Sequence, residues 1–174
     1  MEYGNNADTS PYAQKLMEAI CNGKKSEAAI LIKNGTPAQL FAQDKTNLSG
    51  KTPLYYAITQ PDTQTALLLI NKKGVTAEHI FRKEKRHGYT PLHEAIALEN
   101  KEVIMAIINK PDVGEKHLKE IKNDAGESAL DFAKKLHKNY IVHEINKKIN
   151  TEKKLQGAQQ LALPEKQATQ QLSL

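Results

Sequence analysis

The segment Gly50-Lys51-Thr52-Pro53-Leu54 recurs 38 residues later as Gly88-Tyr89-Thr90-Pro91-Leu92, and another 38 residues on stands Gly126-Glu127-Ser128-Ala129-Leu130. One step back from Leu54 lies Leu16. In all four frames the residue three after this leucine is alanine: Ala19, Ala57, Ala95 and Ala133. A fixed period of this length means that the chain is built as a stack of small units, none of which can bury its apolar face alone. The 174 residues therefore divide into four units and two tails.

Each unit reads as a pair of helices. Thr52 and Thr90 are N-cap candidates, and Pro53 and Pro91 fall at the first helical position, where the missing N–H costs nothing. The first helix then presents Leu92, Ala95 and Ile96 at i, i+3 and i+4, one apolar stripe. The small residue at the alanine position lets the next helix approach closely. A second helix follows a short turn: Ala28-Ile30-Leu31-Ile32, then Ala66 to Ile70, then Val103-Ile104-Ile107-Ile108. The interior second helices are apolar over most of their circumference, which predicts neighbours on both sides. The fourth unit, Tyr140-Ile141-Val142-Ile145-Ile149, is less uniformly apolar, as a terminal cap should be.

Thr90-Pro91-Leu92-His93-Glu94-Ala95 resembles the ankyrin signature T-P-L-H-x-A position for position. Glu102-Val103-Ile104 and Ala106-Ile107-Ile108 fall where that family carries its E-V-V and L-L-L runs. Unit one lacks the Thr-Pro start but has Gly23 and Gly35 where the family has its inter-helix and C-cap glycines. Unit two keeps Thr52-Pro53-Leu54 and has Tyr55 in place of the histidine. The resemblance spans about residues 12 to 150. It implies an all-α solenoid of helix-turn-helix units over residues 12–155 (about 12–49, 50–87, 88–125 and 126–155). It also implies that His93 hydrogen-bonds the turn beside the Thr90 cap and braces neighbouring repeats.

Ankyrin repeats run to about 33 residues, so each 38-residue unit carries about five more. The surplus lies after the second helix, where the family builds a β-hairpin finger: Thr36 to Phe41, Thr76 to Phe81 and Asp112 to Leu118. Thr36 to Gln39 and Asp112 to Glu115 have capping-box spacing, and Leu40-Phe41 and Ile80-Phe81 can dock onto the core. This predicts a short extra helix in each finger, with the hairpin reduced to a turn. Residues 1–11 read as a polar tail. The last helix is expected to reach Leu155, and the Gln-rich residues 156–174 are either disordered or helical up to Pro164.

Composition narrows the function. Nine aromatic residues and no Trp are too few for a sandwich or barrel. No run of 18 apolar residues exists to span a bilayer, and Met1 to Asp8 lacks the basic start and apolar run of a secretory signal. Cys21 stands alone, which fits a reducing, cytoplasmic-type compartment and a soluble chain. The net charge is +5, but 23 Lys accompany only Arg82 and Arg86. Arg is the preferred reader of phosphates and base edges, so nucleic acid is not the favoured partner. No Gly-rich phosphate loop, GxSxG or HExxH occurs. His137 and His143 are six apart, which does not place two ligands on one helix face. The expectation is no enzyme, no metal and no cofactor.

What remains is surface. The residue after the signature histidine position is Glu18, Tyr56, Glu94 and Phe132 in the four units. Tyr56 and Phe132 are apolar where solvation is expected, so they are either binding anchors or, for Phe132, packed under the C-terminal helix. The finger Arg82-Lys83-Glu84-Lys85-Arg86-His87 carries four basic residues and one acid, net +3 with His neutral. It is either a docking patch for an acidic partner or a solvated tip. The lysine pairs Lys24-Lys25, Lys72-Lys73, Lys134-Lys135 and Lys147-Lys148 read as solvent-facing. Partner contact is assigned to Tyr55, Tyr56, Arg82, Lys83, Lys85, Arg86, Tyr89 and Glu94. The repeat frame is assigned to Thr52, Pro53, Leu54, Thr90, Pro91, Leu92, His93 and Ala95.

The expected function is non-catalytic binding of a partner protein by a monomeric chain through the concave face and fingers. The alternative is a basic adaptor using residues 82–87 on nucleic acid or another anionic surface. Small free-standing ankyrin proteins also resemble effectors that intracellular bacteria deliver into host cells, which implies a host protein as partner and a translocation signal in the Gln-rich tail.

Overall fold

The computed structural model describes residues 11–44 and 49–161. The repeat frame folds as its pattern dictates. Unit one is α1 (Pro11–Cys21) and α2 (Lys25–Asn34), followed by the finger helix α3 (Pro37–Leu40). Units two and three repeat this order as α4 (Pro53–Ile58), α5 (Gln64–Asn71) and α6 (Ala77–Ile80), then α7 (Pro91–Ala97), α8 (Lys101–Ile108) and a π-helical turn at Lys116–Glu120. Unit four is α9 (Ala129–Lys135) and the long α10 (Asn139–Leu161). Among the described residues the β-structure is one isolated antiparallel bridge, Lys122 to Ser128. The hairpin has indeed shrunk to a turn.

The turn inside each pair recurs every 38 residues. In units one, three and four the residue at position 23, 99 or 137 has φ near +60°. The next residue's N–H donates to the alanine of the frame: Lys24 to Ala19, Asn100 to Ala95, Lys138 to Ala133, at 2.9–3.0 Å. This is the left-handed helix stop with its 6→1 bond. Glu99 and His137 adopt it without being glycine, at a cost of roughly 1 kcal/mol each. Unit two has Pro61 there, which cannot reach positive φ. Asp62 organises that turn instead, accepting from the Gln64 N–H at 3.1 Å and pairing with Lys25 at 2.9 Å.

Stacking buries the stripe that the pattern marks out. Leu16, Leu54, Leu92, Ala57, Ala95, Ala133 and Ile96 are wholly buried. One side of the second helices stays open, however. Ile30 and Leu68, 38 residues apart, are 60% and 47% exposed, against the expectation of neighbours on both sides. The pairs form a single layer, so nothing within the array covers the outer faces of α2 and α5.

Polar links tie each joint along the edge of the inter-helix turns: Lys25 to Asp62, Thr63 Oγ1 to Glu102 at 2.7 Å, and Lys138 to Glu99 at 2.6 Å. A second series runs behind them. Lys72 Nζ donates to the Lys33 carbonyl, Lys110 Nζ to the Ile70 carbonyl at 3.2 Å, and Lys148 Nζ to the Lys110 carbonyl at 3.0 Å. Each ammonium thus serves carbonyls at or just beyond the C-terminus of the preceding unit's second helix, where cations are favoured. This corrects the solvent-facing reading of Lys72 and Lys148.

The fingers hold the short helices that the surplus residues predict. Thr36 and Gln39 close their capping box, with the Thr36 N–H donating to Gln39 Oε1 at 2.9 Å. The Asp112–Glu115 box does not form. The third finger starts at Gly114, whose N–H donates to His117 Nδ1 at 3.2 Å, while Asp112 Oδ2 accepts from the Ala77 N–H of the previous finger. Gly35 is needed for close approach rather than for positive φ: a Cβ there would stand 2.7 Å from Tyr12 Cε1.

The described helix runs from Pro11, one residue inside the expected N-terminal tail, to Leu161, six beyond the expected end at Leu155. Residues 1–10 and 162–174, where the rest of the polar tail and most of the Gln-rich tail fall, lie outside the described residues. No described helix is long and apolar enough to cross a membrane.

Candidate partner-binding groove

Between the first helices of units two and three and the hairpins of fingers one and two the array opens into a groove of about 910 Å³, lined by Ser49, Lys51, Tyr55, Tyr56, Glu84, Lys85, Arg86, His87, Tyr89 and Glu94. Each wall has a sequence cause. The Thr-Pro start fixes where α4 and α7 begin, so Tyr55, Tyr56 and Glu94 project from their first turns. The shortened hairpin after α6 supplies the opposite wall.

A buried acid shapes that hairpin. Glu84 is 5% exposed and its carboxylate accepts three backbone N–H groups: Arg86 at 2.7 Å, His87 at 2.6 Å and Tyr89 at 3.2 Å. Its own N–H donates to the Tyr89 carbonyl at 2.9 Å. Asp44 and Asn123 stand at corresponding places in the flanking fingers, both buried, with their N–H groups donating to Lys51 O and Glu127 O. Charge counting treats Glu84 as one acid among four bases, whereas it is the residue on which the loop folds. Glu84→Ala is expected to cost about 2 kcal/mol, since it orphans turn N–H groups that a charged acceptor satisfied. Urea denaturation checks this, and a loss under about 0.5 kcal/mol would contradict the assignment.

Fingers one and two are stitched together. Gln43 Nε2 donates to Gly50 O at 2.9 Å and Lys83 O at 2.8 Å, the Lys85 N–H donates to Ser49 O at 2.7 Å, and Arg82 Nη1 donates to Phe41 O at 3.0 Å. Of the eight residues assigned to partner contact, six line the groove: Tyr55, Tyr56, Lys85, Arg86, Tyr89 and Glu94. Arg82 and Lys83 do not. Arg82 spends its guanidinium on finger one, and Lys83 contributes its carbonyl to the stitch. Sequence reasoning missed Lys51, whose Nζ sits 5.3 Å from the centre of the Tyr55 ring.

The tyrosines differ in role. Tyr55, assigned to partner contact, is 1% exposed, so it serves as buried backing of the groove wall and not as a protruding contact residue. Burial, and then the carboxylates of Glu94 and Glu84, hold its hydroxyl well above the usual phenol range. Tyr56 is half-buried and donates its hydroxyl to Asp44 Oδ2 at 2.9 Å. Phe132 is buried, with its ring 5.4 Å from Tyr89 and 5.5 Å from His93. It packs toward the signature helix of unit three and is no exposed anchor. The cations Lys51, Lys85 and Arg86 make no ion pair among the described residues.

The signature histidine does what the resemblance implies. His93 is fully buried. Its Nδ1 accepts from the Thr90 N–H at 3.3 Å and contacts Thr90 Oγ1 at 2.8 Å, which leaves the proton on Nε2 to donate to the Glu127 carbonyl of the next unit at 3.1 Å. Its ring stacks on Tyr89 at 5.6 Å. In unit two Tyr55 replaces this group. The Tyr55 hydroxyl and Thr52 Oγ1 are buried without hydrogen-bond partners in the described structure, so the brace is missing where the groove opens.

Other chemistry finds no assembly of groups. Cys21 is exposed, and partial desolvation followed by the Asp44 carboxylate raises its thiol above 9.0, which leaves it protonated at neutral pH. No cluster of three or more His, Cys, Asp or Glu residues able to hold a metal exists among the described residues.

Stacked helix pairs with fingers projecting beside a concave groove define the class of helical-repeat binding proteins. A family model described as ankyrin repeats (three copies) matches residues 16–119, and the chain belongs to the ankyrin-repeat family. No curated protein matches the sequence. Ankyrin repeats are in general protein–protein interaction modules, and the family is typically non-enzymatic.

Proposed function

We propose that the chain is a non-catalytic module that seats an acidic segment of a partner protein in the groove that α4 and α7 form with the hairpins of fingers one and two. The observation that carries this reading is the convergence of Lys51, Lys85 and Arg86, none of them in an ion pair among the described residues, around a cleft walled by Tyr55, Tyr56 and Tyr89. Aromatic walls supply contact area at low entropic cost, and unpaired cations at the rim supply steering and register. Glu94 on the α7 wall and the buried Glu84 make the cleft of mixed sign, which suits a folded or peptide partner better than a polyanion. Nucleic-acid binding through residues 82–87 is correspondingly disfavoured, because Arg82 is committed to Phe41 O.

The test is a charge reversal that leaves the fold alone. The side chains of Lys85 and Arg86 make no described hydrogen bond or ion pair, so Lys85→Glu with Arg86→Glu is expected to leave the melting temperature within about 1 °C. Capture of partners from host-like and self lysates should fall at least ~10-fold, with a flatter salt dependence. Equal capture by the variant would end this reading. Duplex DNA binding that weakens steeply with salt would favour the adaptor reading instead. A translocation signal in the tail, and with it a host-cell partner, has its own test: deletion of residues 162–174 should abolish export without altering the melting temperature.

A further inference from the structure

Gln39, His79 and His117 occupy one structural position, three residues after the finger cap. Each accepts the cap's backbone N–H: Thr36 to Gln39 Oε1 at 2.9 Å, Thr76 to His79 Nδ1 at 3.2 Å, and Gly114 to His117 Nδ1 at 3.2 Å. Thr76 Oγ1 also lies 2.8 Å from His79 Nδ1. An imidazole has a lone pair at Nδ1 only when neutral with its proton on Nε2, and an imidazolium has none. Both rings also sit on the preceding finger, His79 edge-on to Phe41 at 5.6 Å and His117 against Phe81 at 5.1 Å. The same two side chains therefore close their own finger helix and dock it on its neighbour.

We propose that fingers two and three are held by a proton-sensitive lock, in which protonation of His79 and His117 removes the cap acceptor and frees the finger, while finger one, capped by the amide of Gln39, does not respond.

The groups facing each ring favour the neutral form. For His79 desolvation dominates and Arg82 adds to it, outweighing Glu78 and Asp112, so the ring titrates below 6.5. For His117 desolvation again leads. Asp112, Glu152 on α10 and Glu78 favour the charged ring, Lys116 opposes it, and the balance is still below 6.5. Because the folded pKa is depressed for a base, the freed finger binds the proton more tightly than the closed one. The lock is then intact above about pH 6.5 and weakens as pH falls below it. Finger two continues directly into residues 82–89, which build one side of the groove. The lock's bearing on partner capture depends on the groove being the binding face, whereas the lock itself does not.

Hydrogen–deuterium exchange on the full chain at pH 7.5 and 5.0, corrected for intrinsic rates, tests this. The opening constants for the amides of Thr76 and Gly114 and the helices that follow them should rise by up to about 30-fold at pH 5.0, the limit set by 10^(6.5−5.0) for a freely titrating imidazole. The amide of Thr36 in finger one should keep its protection. His79→Gln should abolish the response in finger two alone, and His117→Gln that in finger three alone. An equal loss in all three fingers, or a response that survives the glutamine variants, overturns the proposal. Imidazole ¹⁵N shifts of the unmodified protein at pH 7.5 give a second check, since a protonated Nδ1 in either ring is incompatible with the lock.

Discussion

Leu92→Ala is expected to lower the unfolding free energy by about 2–5 kcal/mol, the range for emptying a well-packed leucine site. Leu92 has no exposed surface, and α7 packs against α4, α8 and α9. The cavity would therefore open against three neighbours that are fixed by their own partners and cannot collapse into it. Solenoid stability is close to a sum of unit and nearest-neighbour terms. Damage in unit three weakens both of its joints and leaves only two units on one side and one on the other. Urea denaturation followed by circular dichroism should show a lower midpoint and a shallower transition as the units lose cooperativity. A loss below about 1 kcal/mol, or an unchanged slope with an unchanged midpoint, would contradict this account of the core.

His93→Ala should cost about 3 kcal/mol or more at pH 7.5. The substitution empties a site between Tyr89 and Phe132, strips the Thr90 N–H and hydroxyl of their acceptor, and removes one of the two donors to the Glu127 carbonyl, leaving the Asn123 N–H. The ring's desolvation holds its pKa below 6.5, against the opposing pull of Glu127. The unfolded chain thus binds the proton more readily, and the histidine's contribution is fully present above about pH 6.5 and declines as pH falls through that value toward the folded pKa. Melting temperatures of the two proteins should therefore converge between pH 7.5 and 5.0, and a constant gap would mean that His93 does not titrate in this window.

The helix pairs were legible because their causes are local. A threonine, a proline and a leucine stripe fix the first helix, and an apolar run fixes the second. Residues whose role depends on the neighbouring unit were not legible. Nothing near Lys110 in the sequence announces that its ammonium reaches the Ile70 carbonyl, or that its own carbonyl receives Lys148. Glu84 looked like one charge in a basic run because its three partners are backbone groups. Phe132 stands at a position that is usually wet, and its burial comes from the joint with unit three rather than from its own helix. The period also hid a shift. Finger two lies 40 residues after finger one, from Leu40 to Ile80, although the first helices keep a step of 38. Two residues are missing before the first finger helix and two are added after it, so the count over a whole unit is unchanged.

The joint between units two and three is held along its turns by Thr63 and Glu102 and along its fingers by the Ala77 N–H to Asp112 and the Asp124 N–H to the His87 carbonyl. Between those two fastened edges, Tyr55 has replaced the histidine that clasps unit three to unit four, and its hydroxyl is left without a partner in the described structure. The gap resembles a missing rivet in an otherwise closed seam. A ligand seated beside Tyr55 would bridge the one link across this joint that the chain leaves unmade.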